Sequence, residues 1–168
     1  MKSQIKDIVV RYGVMIVLAL LIPFYQLVLL PLTLYPTYFL LDLFYEVTLI
    51  SNSFIIEQFK IEIIPACVGV SAFFLLFILN FATPSIKWKK RIKLFLFSAG
   101  LFLLFNWLRI FLLSVLFISG FVLFDQIHLF TWYFVSTIAV IAIWFISIKT
   151  FKIKKAPFLS DIKEVYNT

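Results

Sequence analysis

The stretch KLFLFSAGLFLLFNWLRIFLLSVLFIS, residues 93–119, decides the fold. After Lys93 it carries a single charge, Arg109, in a run longer than the about 20 apolar residues needed to cross a hydrocarbon core of roughly 30 Å. Three further windows meet or nearly meet that length, residues 12–34, 67–84 and 128–148. The composition agrees, with 64% hydrophobic and 14% charged residues and a mean hydropathy of +1.10. A soluble fold of 168 residues with that composition would have to turn apolar surface to water. The expectation is an all-α integral membrane protein, a single domain built as a bundle of about four transmembrane helices.

Basic residues set the orientation, because cytoplasmic flanks of spanning helices retain Lys and Arg. With the N-terminus inside, thirteen of the fifteen basic residues fall in inner segments, around 2–11, 87–93 and 149–163. Lys60 and Arg109 are the exceptions, and five of the eight acids fall outside: Asp42, Glu46, Glu57, Glu62 and Asp125. Both termini are therefore expected in the cytoplasm, with 149–168 as a cytoplasmic tail of a multi-pass cell-membrane protein. The net charge of +7 is explained by this inner rim facing anionic headgroups, which argues against a nucleic-acid partner. Lys2, Lys6 and Arg11 before an apolar run resemble a signal peptide, but the run is too long and no clear cleavage site follows. It reads as a retained first helix, kinked at Pro23.

An outer loop is expected over 35–66. In it, PTYFLLDLFYEVTLISNS (36–53) reads as an interfacial amphipathic helix, with Asp42 and Glu46 four apart on one face. Phe59, Ile61 and Ile63 then alternate with Lys60, Glu62 and Ile64, a short β pattern ending at Pro65. It reads as an outer lid or docking strand leading to Cys67.

Three polar residues stand where apolar segments approach the same outer level: the sole cysteine Cys67, the sole histidine His128, and Arg109. In PACVGVS (65–71), Pro65 stops the extended run and Cys67 opens a helix, next to backbone N–H groups that lack helical partners. Such a place favours thiolate, and the same N–H groups, with Gly69 admitting a close approach and Ser71 one turn on, suit an oxyanion. A lone cysteine is otherwise a small buried hydrophobe. Arg109 is harder to read as ballast, since a charge inside the hydrocarbon costs at least about 2.5–3.5 kcal/mol. At 1.5 Å per residue it stands roughly 24 Å along the helix from Lys93, about 6 Å short of the outer edge of the core. Asn106, one turn earlier, is placed to accept a hydrogen bond from the guanidinium. His128 opens the last helix and can take the thiol proton and return it to a leaving amine. Asp125 stands three residues before it.

PACVG opening a helix, NWLRI late in the next and a histidine at the start of the last together resemble the exosortase and archaeosortase family of membrane cysteine transpeptidases. The likeness covers roughly residues 58–135. The resemblance implies an active site of Cys67, Arg109 and His128, where the family uses Cys, Arg and a third residue that is His or Arg. Members usually carry Ser or Thr after the cysteine, whereas this chain has Val68, and it is short for an exosortase. Also implied are substrates exported with a C-terminal sorting signal, made of a short motif, a transmembrane helix and a basic tail. Cleavage would occur at the outer face through a thioester acyl-enzyme, with transfer to a lipid or glycan acceptor and no cofactor.

Other chemistries fit poorly. One cysteine excludes a thiol oxidoreductase pair, and one Cys with one His is too few for zinc. The deep segments lack the two carboxylates of an aspartyl protease, and HExxH is absent. The competing class is a non-catalytic assembly factor or transporter subunit that binds an anionic lipid or partner helix through Arg109.

Overall fold

The computed structural model describes residues 2–20, 22–84 and 86–153. Its helices are α1 (Lys2–Leu20), α2 (Ile22–Asp42), α3 (Pro65–Val68), α4 (Val70–Ala82), α5 (Trp88–Ile118), α6 (Phe124–Phe130) and α7 (Ser136–Thr150), with a π-helical turn, Thr131–Val135, joining the last two. Among the described residues four segments are long and apolar enough to span a bilayer, namely Phe24–Asp42, Pro65–Ala82, Trp88–Ile118 and Phe124–Thr150. The chain is an all-α, multi-pass integral membrane protein whose only sheet among the described residues has three short strands.

The first described span, Phe24–Asp42, overlaps the window 12–34 and runs past it; it is the body of α2, and α1, which carries Lys2, Lys6 and Arg11, precedes it. Pro23 is the second described residue of α2. Pro31 and Pro36 are within α2, and each denies a carbonyl its partner four residues back. The indole Nε1 of Trp107 donates to the carbonyl of Leu32, the group freed by Pro36, at 2.8 Å. The repair ties α2 to α5 two residues before Arg109.

Residues 36–53 do not form an interfacial helix. α2 runs on to Asp42, a turn follows, and Val47–Ile50 is strand β1. It pairs antiparallel with β2 (Ser53–Ile56), which pairs antiparallel with β3 (Phe59–Glu62). The β-branched and aromatic residues of VTLI and SFII favour strand, and two-residue loops at Ser51 and Glu57, both at positive φ, close the hairpins. Glu46 therefore lies beyond the helix that carries Asp42. The payoff for strand pairing is a common apolar face: Val47, Phe54, Ile56 and Ile63 join Leu41 of α2, Val68 of α3 and Ile110 of α5 in one core. The β pattern at Phe59–Glu62 is β3 itself, with Lys60 and Glu62 exposed and Ile63 buried just past it.

At its far end, α4 stops at Ala82, and two arginines cover its last carbonyls. Arg91 donates to the oxygens of Asn80, Phe81 and Thr83 at 2.7–2.9 Å, and Arg11 of α1 donates to Ala82 at 3.0 Å. Cations at a helix C-terminus also complement its dipole. Both side chains are about 1% exposed, so Arg109 is not alone in being buried. The tail beyond residue 153 lies outside the described residues.

Candidate active site

Cys67 sits third in the single turn α3, after Pro65 rather than at the head of a long helix. Its N–H donates to the carbonyl of Ile64 at 2.8 Å, and the N–H of Val68 reaches the same oxygen at 3.3 Å. Those two donors are thus engaged, contrary to the expectation of free N–H groups at Cys67. Gly69, in the left-handed region at φ 75°, then turns the chain into α4. Its Cα lies close to the Phe102 ring, where a Cβ would meet Cζ at 3.0 Å. Close approach is needed here, but the approaching group is Phe102.

Arg109 reaches this turn from α5. Its Nη2 donates to the Cys67 carbonyl at 3.0 Å and its Nη1 to Ser136 Oγ at 2.6 Å. Among the described residues its Nε has no hydrogen-bond partner, although the side chain is only 8% exposed. Asn106 takes a different part from the one expected of it. Its amide donates to the carbonyls of Cys67 and Val68, at 3.1 and 3.4 Å, instead of accepting from the guanidinium. Two side chains one turn apart on α5 therefore converge on the backbone that carries the thiol.

Ser136 was not legible as a site residue. The π turn before it makes the difference: the Thr131 carbonyl accepts both the N–H and the Oγ of Ser136, the latter at 3.0 Å. With its proton directed at Thr131, the hydroxyl offers a lone pair to Arg109. Isolated π turns recur at functional sites. The one trace in the sequence is the polar pair Ser136–Thr137 within an apolar run.

His128 lies in the second turn of α6, which starts at Phe124, four residues earlier than the window 128–148. The imidazole stacks on Phe124 with centroids 5.5 Å apart, and rings continue from Phe124 to Phe117 at 5.1 Å and from Phe117 to Phe59 of β3 at 5.6 Å. Asp125, in the first turn of α6, is exposed, and no hydrogen bond joins it to His128 among the described residues. Cys67, Arg109 and His128 line one cavity of about 170 Å³, with Lys60 to Ile63 on one wall and Ile110, Leu113, Ser114 and Phe117 on another. A thiol, a guanidinium and an imidazole thus share a largely apolar space.

Gly69 and Ser71 are not in that space. They line a second cavity of about 430 Å³, with Trp132, Ser136 and Thr137. Arg109 borders both cavities.

A family model described as transmembrane exosortase matches residues 4–145, most of the chain. The chain belongs to the transmembrane exosortase family. No curated protein and no solved structure matches it. The exosortase match extends well outside the PACVG-to-His128 region on both sides, over α1, α2 and most of α7. In this exosortase-family chain Val68, the departure from Ser or Thr, is 1% exposed within the core and is not among the cavity residues.

Proposed function

We propose that the chain is a membrane cysteine transpeptidase that cleaves C-terminal sorting signals of exported proteins at the outer membrane face. The observation that carries this reading is the meeting of Cys67, Arg109 and His128, drawn from three separate helices, in one cavity of an exosortase-family protein.

The substrate's own helix lies beside the bundle with its scissile peptide at the cavity. His128 takes the proton of Cys67, and Sγ attacks the carbonyl carbon, forming a C–S bond and a tetrahedral oxyanion. Of the five guanidinium N–H donors, two point to Cys67 and Ser136, which leaves donors to stabilise that oxyanion. As the C–N bond breaks, His128 returns the proton to the leaving nitrogen, and the C-terminal helix departs as an amine. The exported portion remains as a thioester on Cys67. An amine or hydroxyl of a surface lipid or glycan then attacks the thioester and frees the thiol, whereas water in that role gives simple proteolysis. An even number of spanning helices would leave both flanks of the bundle on one side, and the basic residues near them favour the cytoplasm.

The acyl-enzyme is the step to trap. Intact-mass analysis of the solubilised chain after exposure to an exported protein with a motif, helix and basic tail should find an adduct on Cys67 that neutral hydroxylamine removes. An adduct that persists in Cys67→Ala would contradict the thioester and favour the assembly-factor reading.

A further inference from the structure

We infer that the open edge of β3 receives the substrate as an added strand, so that the residues beside the scissile bond pair through their main chain with Lys60 and Glu62. The inference rests on the function proposed above and specifies how that site takes hold of a peptide.

β3 is the terminal strand of the sheet, bonded to β2 on one side. The register fixes which of its groups are spoken for. The N–H of Ile63 donates to the Asn52 carbonyl at 2.8 Å, and the Asn52 side-chain Nδ2 donates to the Ile63 carbonyl at 3.0 Å. Antiparallel pairing alternates, so Ile61 and Phe59 direct their main-chain groups to β2 as Ile63 does to Asn52, and Lys60 and Glu62 direct theirs away. The outward groups border the cavity that holds the thiol, since Lys60 and Glu62 line it together with Cys67 and Arg109. β1, the other edge, packs on α2 and lines no part of that cavity.

Attack by a thiol needs an open main chain at the scissile bond, whereas a helix keeps its N–H and C=O groups in internal bonds. A substrate helix must therefore end short of Cys67 and continue as extended chain. Such a chain brings main-chain N–H and C=O groups into apolar surroundings, where leaving them unpaired is costly. The β3 edge offers the matching donors and acceptors next to the nucleophile, as in other cases of strand addition. At the end away from Cys67 the Phe59 ring meets Phe117 with centroids 5.6 Å apart, and β3 itself offers four residues to an added strand.

The test uses the detergent-solubilised full chain and acetyl-tetra-alanyl chloromethyl ketone, whose side chains offer nothing but methyl groups. Sγ of Cys67 displaces chloride and forms a thioether, followed by mass. The tetra-alanyl ketone should alkylate Cys67 roughly tenfold faster than acetyl-alanyl chloromethyl ketone, the worth of one or two net hydrogen bonds. N-methylation at alternate alanines should remove that advantage, and N-methylation at the intervening ones should leave it. Proline at Lys60 or Glu62 deletes an N–H that the β2–β3 ladder does not use. Lys60→Pro and Glu62→Pro should lose the advantage several-fold more than Lys60→Ala and Glu62→Ala, with alkylation by the single-alanyl ketone reporting an intact site. Equal rates for long and short ketones, or N-methyl effects without alternation, overturn strand pairing while Cys67 remains the nucleophile. A Cys67 that none of the ketones labels overturns both readings.

Discussion

Arg109 holds the carbonyl oxygen of Cys67 at 3.0 Å across 42 residues of sequence. The bond couples the charge of α5 to the backbone that carries the thiol, and Ser136 fixes the other nitrogen of the same fork at 2.6 Å. The guanidinium is thereby clamped between α3 and the π turn, which suits a group that must meet developing charge without rearranging.

Arg109→Lys should reduce processing by roughly two orders of magnitude, because an ammonium cannot span Cys67 and Ser136 as a planar fork does. Arg109→Ala should be worse, since it also leaves Ser136 and the Cys67 carbonyl without that donor. Cleavage rates of a co-expressed sorting-signal protein, normalised to the amount of membrane-inserted enzyme, check this. Wild-type rates in Arg109→Lys would mean that only a positive charge is needed.

Ser136→Ala should slow processing roughly tenfold and leave the thiol present and alkylatable, because it removes the acceptor of Arg109 Nη1 but no atom of the cavity around Cys67. Ser136→Thr keeps the hydroxyl and should recover part of the loss. A Ser136→Ala enzyme with unchanged rate would remove the π turn from the account.

Gly69→Ala should destabilise the protein by about 1–3 kcal/mol, combining a strained left-handed residue with a Cβ only 3.0 Å from Phe102 Cζ. Thermal unfolding in detergent would measure it. In the Phe102→Leu background the steric part should shrink while the strain at φ 75° stays, so rescue should be partial.

What the sequence revealed follows a physical division. Hydrophobic length exposed α5 directly, since 31 helical residues with one deep charge admit few other readings. The β alternation at Phe59–Ile63 was equally plain, because exposed Lys60 and Glu62 mark the period. The hairpin over Val47–Ile56 was hidden: its strands are apolar, each four residues long, and such short runs fit helix or strand until a partner is known. Hydropathy could not bound the first span, because it continues through 12–42, whereas the described span is Phe24–Asp42. Cys67, Arg109 and His128 share a cavity, as their common level implied. Ser136 could not be found that way, since its partnership with Arg109 arises from a π turn that leaves no mark in composition.

Arg91→Met should cost about 3 kcal/mol or more of stability, because it strips the carbonyls of Asn80, Phe81 and Thr83 of their donor at the end of α4. The loss should appear in thermal unfolding and in a lower yield of inserted protein. Cys67 alkylation in the surviving protein should be little changed, since Cys67 precedes α4 and Arg91 caps its other end.

The most direct test of the central claim compares wild-type and Cys67→Ala chains, each co-expressed with an exported protein that ends in a motif, a transmembrane helix and a basic tail. Intact-mass analysis of that protein reads the outcome. The account predicts that wild type removes the C-terminal helix, with the mass of any acceptor added at the new end, and that Cys67→Ala leaves the protein whole. Equal removal by both chains would contradict it.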